Sequence, residues 1–307
     1  MASQMSTRRD PALSLPFRMR LKAWWHGYDL HVIRKLKDAE PEEEHDISGE
    51  LEAEPWEQPR FLVPQMIWGE GFLTPGGAER AAELVRPLAI DASMSILELG
   101  GQLGGQARLL ARDFGAWVTS VETDAEVADL AELMSERADL VKKTEFHVVD
   151  PASAAFRSKA FDVAVSTDIL YAIENKQPLM LAVGKALKKR AQVLFCDFIR
   201  DESVSDTTAL EAWIAVEPRP VHLWSEAQYR ACLKKLRLDA RVFNDESEKL
   251  RGIVVTGFSK YLTEASTSGV ADDLRQPLVR EVERWVRLVA ALDSGALKAV
   301  RIYALRG

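Results

Sequence analysis

Ile96-Leu97-Glu98-Leu99-Gly100-Gly101-Gln102-Leu103-Gly104-Gly105 is an apolar run that carries one acid and opens into four glycines. Seventeen residues beyond Gly105 a second run, Trp117-Val118-Thr119-Ser120-Val121, closes on Glu122. Residues 94–99 are short and apolar, which suits a buried strand of a parallel sheet. Residues 103–114 then set Leu103, Ala107, Leu110 and Ala111 on one face of a helix. Between strand and helix the chain must turn sharply while its backbone stays open to a ligand, and glycine permits both. Glu122, at the end of the next strand, is placed to accept hydrogen bonds from both hydroxyls of a ribose. Four glycines alone make a tight turn; with the second acid they describe a nucleoside-binding crevice.

The spacing bears on the ligand. Dinucleotide folds read Gly-x-Gly-x-x-Gly, which residues 100–105 do not match, so a nicotinamide-dependent oxidoreductase is disfavoured. The stretch resembles instead the motif of class I S-adenosylmethionine-dependent methyltransferases, an acid followed by Gly-x-Gly-x-Gly, read here as Glu98, Gly100, Gln102 and Gly104 with Gly101 between them. Gln102 stands where the family has a glycine. Residues 144–149 read as a third strand leading to Asp150-Pro151, where the family has an acid near the adenine amino group. Residues 161–166 resemble its fourth strand, ending on Ser166, and Thr167, Asp168, Ile169, Leu170 and Tyr171 fall where its active-site loop begins. Residues 192–198 resemble its fifth, with Lys189-Arg190-Ala191 in place of the usual Pro-Gly-Gly.

The resemblance implies an α/β fold, a Rossmann-like sheet flanked by helices, with residues 299–305 inserted as a late antiparallel strand. It implies S-adenosyl-L-methionine as cofactor, with Glu122 and Thr123 at the ribose, Asp150 and Pro151 at adenine, and Glu98 and the glycine turn at the methionine portion. Trp68-Gly69-Glu70-Gly71-Phe72-Leu73-Thr74-Pro75-Gly76-Gly77 resembles the segment that closes over the cofactor in phosphoethanolamine N-methyltransferases, which would put Leu73 and Thr74 at the methionine part. Those enzymes use an upstream tyrosine and a histidine four residues beyond the active-site aspartate. Trp56 and Ala172 stand at those places here, so a phosphoethanolamine acceptor is disfavoured.

The 307 residues are 47% hydrophobic and 28% charged, enough to bury a full core, and the net charge of -7 argues against a general nucleic-acid binder. Residues 1–37 hold eight Lys or Arg against Asp10 and Asp29, whereas residues 38–54 carry nine acids and no base. The acidic block reads as a solvated linker. Residues 18–36, from Arg18 through Leu21, Trp24, Trp25, Tyr28 and Val32 to Leu36, read as a basic amphipathic helix, either docked on the chain's own domain or presented to a protein or membrane surface. The expected division is therefore 1–55 as a partly disordered N-terminal extension and 56–307 as the main domain, with a core over 78–200 and additions over 201–307.

Helices are expected over residues 210–216, 225–236 (opening on Ser225 as N-cap), 250–262 and 274–292. Cys196 and Cys232 read as small core residues of a reducing compartment. No run approaches the ~18 to 20 apolar residues of a membrane span and no signal-type core opens the chain, so a cytoplasmic protein is expected. His147 falls in the third strand among positions expected to be buried and reads as structural. His26, His31, His45 and His222 form no motif, and no metal site is indicated.

Methyl transfer from a sulfonium asks mainly for positioning of donor and acceptor. A protonated amine or hydroxyl acceptor must also lose a proton, and Asp168, Tyr171 and Glu70 are the candidate bases. Each has a structural alternative: a helix cap for Asp168, the core for Tyr171, the surface for Glu70. The sequence thus points to methyl transfer to N or O of a small molecule. A catalytically degenerate member acting as a binding or regulatory module is the second reading, and a protein or RNA methyltransferase recruiting its acceptor through residues 18–36 the third.

Overall fold

The computed structural model describes residues 54–307. The expectations for residues 18–36, and for the acidic block but for Glu54, lie outside the described residues. Seven strands form one sheet: β1 (Ser95–Leu99), β2 (Trp117–Glu122), β3 (Thr144–Val148), β4 (Phe161–Thr167), β5 (Leu187–Arg200), β6 (Leu238–Asp245) and β7 (Leu297–Arg306). Their order is β3-β2-β1-β4-β5-β7-β6. The first five pair in parallel, while β7 lies antiparallel between β5 and β6, from Gln192 opposite Leu305 to Arg200 opposite Leu297. The late antiparallel strand is therefore where it was expected.

The strand order reverses between β1 and β4, and at that switch the connections leave on opposite faces and open a crevice at the carboxyl ends of the strands. One face packs Ile96, Val118, Val163, Val165 and Leu194 against α2 (Gly77–Val85) and α3 (Gly105–Phe114). The other packs Leu97, Leu99, Ala164, Val193 and Phe195 against α5 (Lys176–Ala186) and α7 (Glu226–Lys235). Burial on both faces is why these strands read as continuous apolar runs. Beyond the strand ends, α1 (Pro59–Trp68), α6 (Thr208–Ile214), α8 (Ser247–Ser268) and α9 (Asp272–Asp293) enclose an aromatic cluster that includes Trp68, Tyr171, Phe198, Trp213 and Trp285.

Local chemistry fixes the helix starts. Asp124 opens α4 (Ala125–Arg137), its carboxylate accepting from Glu126 N at 3.0 Å and Val127 N at 3.4 Å. Ser225 caps α7 as expected, in a reciprocal box with Gln228. One expectation differs, and one strand was not expected. His147 is not among buried neighbours: β3 is an edge strand, and the imidazole is 56% exposed beside Glu145 at 3.7 Å. β6 was not foreseen because it is a half-exposed edge strand carrying Asp239, Arg241 and Asn244, with no apolar run to announce it.

Candidate functional site

A cleft of about 360 Å³ opens at the switch point, lined by residues that include Gly100, Glu122, Thr123, Asp150, Pro151, Ile169, Ala172 and Arg219. Glu122, the last residue of β2, is only 8% exposed. Burial pushes its carboxyl up to about 7, against the opposing pull of Arg219 and the Thr123 N–H. Asp150, just past β3, is exposed and accepts from Ala152 N and Ser153 Oγ, both at 2.9 Å, which hold its carboxyl below the usual range.

A second, narrow crevice of about 20 Å³ meets the cleft at Gly100 and is lined by Gly71, Thr74, Arg80, Glu98, Gly101, Gln102, Gln106 and Thr167, among others. Its floor is the glycine turn. A Cβ on Gly101 would lie 1.8 Å from Ser120 Oγ, which donates to Glu98 Oε2 at 2.7 Å, so only glycine lets the turn settle on that pair. Burial pushes the Glu98 carboxyl up to about 7, with the Ser120 bond and Arg108 opposing.

Its roof is the segment 69–76. Gln65 accepts from Gly71 N at 2.9 Å, and Gly105 N donates to Gly71 O at 3.2 Å. Gly71 sits at φ +78°, and a Cβ there would come within 2.9 Å of the Gly105 Cα, so the roof and the turn touch backbone to backbone. Gln102 adds the third tie. Its Oε1 accepts from Leu73 N at 3.0 Å and its Nε2 donates to Thr74 Oγ1 at 3.4 Å. The side chain that replaces the family glycine therefore fastens the roof down.

A family model described as Methyltransferase domain matches residues 76–239. The chain belongs to that methyltransferase domain family. Phosphoethanolamine N-methyltransferase 3 of Arabidopsis thaliana is 24% identical over 194 residues, covering 63% of this chain and 39% of that protein. The chain thus spans about two fifths of that relative's length. Among solved structures, phosphoethanolamine N-methyltransferase 2 of Haemonchus contortus, in complex with phosphomonomethylethanolamine and S-adenosylhomocysteine, superposes with a TM-score of 0.72 at 17% identity, over 82% of this chain and 60% of that one. The [4+2]-cyclase SpnF superposes at 0.60 with 16% identity, over 80% and 91%. The fold is that of the class I methyltransferases, with its late antiparallel strand.

Within this methyltransferase domain the sequence-selected residues divide into four places. Glu122, Thr123, Asp150 and Pro151 line the wide cleft. Thr74, Glu98, Gly101, Gln102 and Thr167 line the narrow crevice, and Gly100 borders both. Leu73 contributes its N–H to Gln102, Ser166 donates to Leu99 O at 3.0 Å inside the sheet, and Gly104 caps α3 at φ +75°. The three candidate bases lie apart from both spaces. Asp168 is 2% exposed and ion-paired with Arg80, whose Nη2 reaches Asp168 Oδ1 at 3.1 Å. Tyr171 is 1% exposed in the aromatic cluster, and its hydroxyl donates to Glu217 Oε1 at 2.8 Å. Glu70 is exposed on the roof segment.

Three site residues escaped the sequence reading. Arg80 was hidden among the charges of a surface-type helix, and Gln106 among the polar positions of α3, where its Oε1 accepts from Thr167 Oγ1 at 3.1 Å. Ile169, which the sequence puts at the start of the active-site loop, packs against Gly100 between the two spaces. Arg219 comes from the connection before α7, its guanidinium 5.3 Å from the Tyr171 ring centre and its Nε 3.5 Å from Glu217 Oε1. No spacing signal announces it.

Proposed function

We propose that this methyltransferase domain binds S-adenosylmethionine and transfers its methyl group to N or O of a small-molecule acceptor. The observation that carries the reading is Glu122: a buried carboxyl lining a cleft of nucleoside size, with burial still outweighing its polar partners. A ribose diol offers two donors, which is the compensation such a group lacks. Asp150 lines the same cleft, just past the end of the neighbouring strand, and is assigned to the base. S-adenosylmethionine supplies, when bound, a methyl group on an activated sulfonium, so the protein's task is alignment and exclusion of water.

Gln102 and Thr74 close the roof over the narrow crevice, where the amino-acid portion belongs. That crevice has space for about one water. Entry of the amino-acid portion therefore requires the 71–75 segment to lift. Asp168 is held by Arg80 and the Tyr171 hydroxyl by Glu217, both outside the lining of the two spaces; the reading favours an acceptor that arrives deprotonated or loses its proton to water.

The closed crevice also favours a second reading, a binding module that holds a nucleoside without transferring a methyl group. Calorimetry with S-adenosylmethionine and S-adenosylhomocysteine on the intact protein tests both. Binding is expected, and Glu122→Ala should weaken it by at least about tenfold, the worth of a charge-assisted hydrogen bond. An unchanged affinity would sink the ribose assignment. Methyl transfer from labelled cofactor to a panel of small amines and hydroxy compounds then separates enzyme from module.

A further inference from the structure

We infer that Arg80 is the residue that binds the carboxylate of the cofactor's amino-acid portion, with Asp168 as its positioning partner. The inference rests on the cofactor reading above and deepens it. Arg80 lies on α2, one turn beyond the roof segment, and its side chain is 10% exposed. Among the described residues lining the narrow crevice it is the one cation, and Thr74, Gln102, Gln106 and Thr167 add neutral polar groups around it. A carboxylate entering beyond the nucleoside cleft meets that guanidinium.

The guanidinium is held ready rather than used up. Nη1 and Nη2 bracket the Asp168 carboxylate, and Nη1 also donates to Pro75 O at 3.2 Å. Those three contacts leave two of the five N–H donors of an arginine uncommitted. Asp168 is fixed in turn by its own backbone, at φ +54° with its N–H donating to Cys196 O at 2.9 Å. Its ion pair with Arg80 therefore aims the fork from a rigid strand end.

The surrounding charges have partners of their own. On the far side, Glu246 is paired with Arg301 at 2.7 Å, and Lys249 with Glu83 at 2.6 Å. The remaining acid facing the crevice, Glu98, is bonded to Ser120. Arg80 is thus the group on which a second carboxylate can settle, sharing a planar fork as arginine does and lysine does not.

The test compares ligands that differ only at the amino-acid end. Affinities of S-adenosylhomocysteine and of 5′-methylthioadenosine, which lacks the carboxylate, are measured calorimetrically on the full chain and on Arg80→Met. Because Arg80→Met strands Asp168 without its partner, the double variant Arg80→Met with Asp168→Asn is measured beside it. S-adenosylhomocysteine should weaken about 10- to 100-fold on both variants while 5′-methylthioadenosine is unchanged, the range of a hydrogen bond to a charged group. Equal losses for both ligands on the double variant, or no loss for S-adenosylhomocysteine, would overturn the assignment. If the unaltered protein binds neither ligand, the cofactor reading itself fails, and that result is visible before any variant is made.

Discussion

Gln102 adopts φ +52°, a left-handed conformation that costs a non-glycine residue about 1 kcal/mol. The chain keeps the backbone path of a glycine turn while placing a side chain on it, and the side chain returns that cost through its bonds to Leu73 and Thr74. Gln102→Gly should therefore change thermal stability by less than about 1 kcal/mol, because strain and hydrogen bonds are lost together. The roof should loosen instead: hydrogen exchange at the Leu73 amide is expected to accelerate, and S-adenosylhomocysteine to associate faster by stopped-flow. Unchanged exchange would mean that Gln65 and the backbone contact hold the roof alone. Glu122 predicts a second, independent behaviour. Ribose hydroxyls donate to the ionised carboxyl, whose folded value is about 7, so affinity for S-adenosylhomocysteine should rise between pH 6 and pH 8. In Glu122→Gln the affinity should be weaker and that rise absent; a rise that persists would assign it to another group.

At the scale of elements, the loop after β4 is fixed by a buried network rather than by chemistry at the site. Tyr171 OH donates to Glu217, which accepts from Arg284 Nε at 2.8 Å and Nη2 at 3.1 Å, joining the β4 loop, the connection after α6, and α9. Burial alone would raise the Glu217 carboxyl, but Arg284 and Arg219 outweigh it and hold it below its usual range. Arg284→Met removes the main counter-ion from a fully buried acid, and chemical denaturation should register a loss of about 3 kcal/mol, the lower end for a broken buried pair because Arg219 remains nearby. Tyr171→Phe leaves the ion pair intact and should cost only about 1 kcal/mol, with cofactor affinity unchanged. A collapse of cofactor affinity in Tyr171→Phe would return the hydroxyl to the site. This network also explains what the sequence could and could not say. The strands through Leu99, Glu122 and Val165 are buried on both faces, and α7 opens on Ser225 as its cap, so both were legible from local pattern. Tyr171, Glu217 and Arg284 lie 46 and 67 residues apart, and no local pattern encodes such a meeting. The same holds for Arg80 and Asp168, 88 residues apart, whose ion pair no local pattern announces.

Among the described residues, three carboxyls share one electrostatic condition across the molecule: burial pushes Glu98, Glu122 and Asp197 each up to about 7. Glu98 and Glu122 border the crevice and cleft, and Asp197 accepts from Tyr171 N at 2.8 Å and Tyr229 OH at 2.5 Å behind the loop after β4. An acid whose folded value is raised holds its proton more tightly folded than unfolded. Its contribution to stability is complete below the unfolded value, near 4, and is lost as pH rises through 7. Acids with lowered values, such as Glu217 and Asp201, act in the opposite sense only below about pH 4.5, where they become protonated in the unfolded chain. Lys176, pushed down to about 8 by burial, acts only above that pH. Between pH 5 and pH 7.5 the three raised acids therefore set the slope, and the melting temperature should fall across that range. Glu98→Gln should flatten part of the fall. S-adenosylhomocysteine should flatten another part, because its ribose hydroxyls stabilise the ionised form of Glu122, so the rise in melting temperature it produces should be larger at pH 7.5 than at pH 5.5. A ligand-induced rise that is equal at the two pH values would separate the cofactor site from the buried carboxyl at the end of β2.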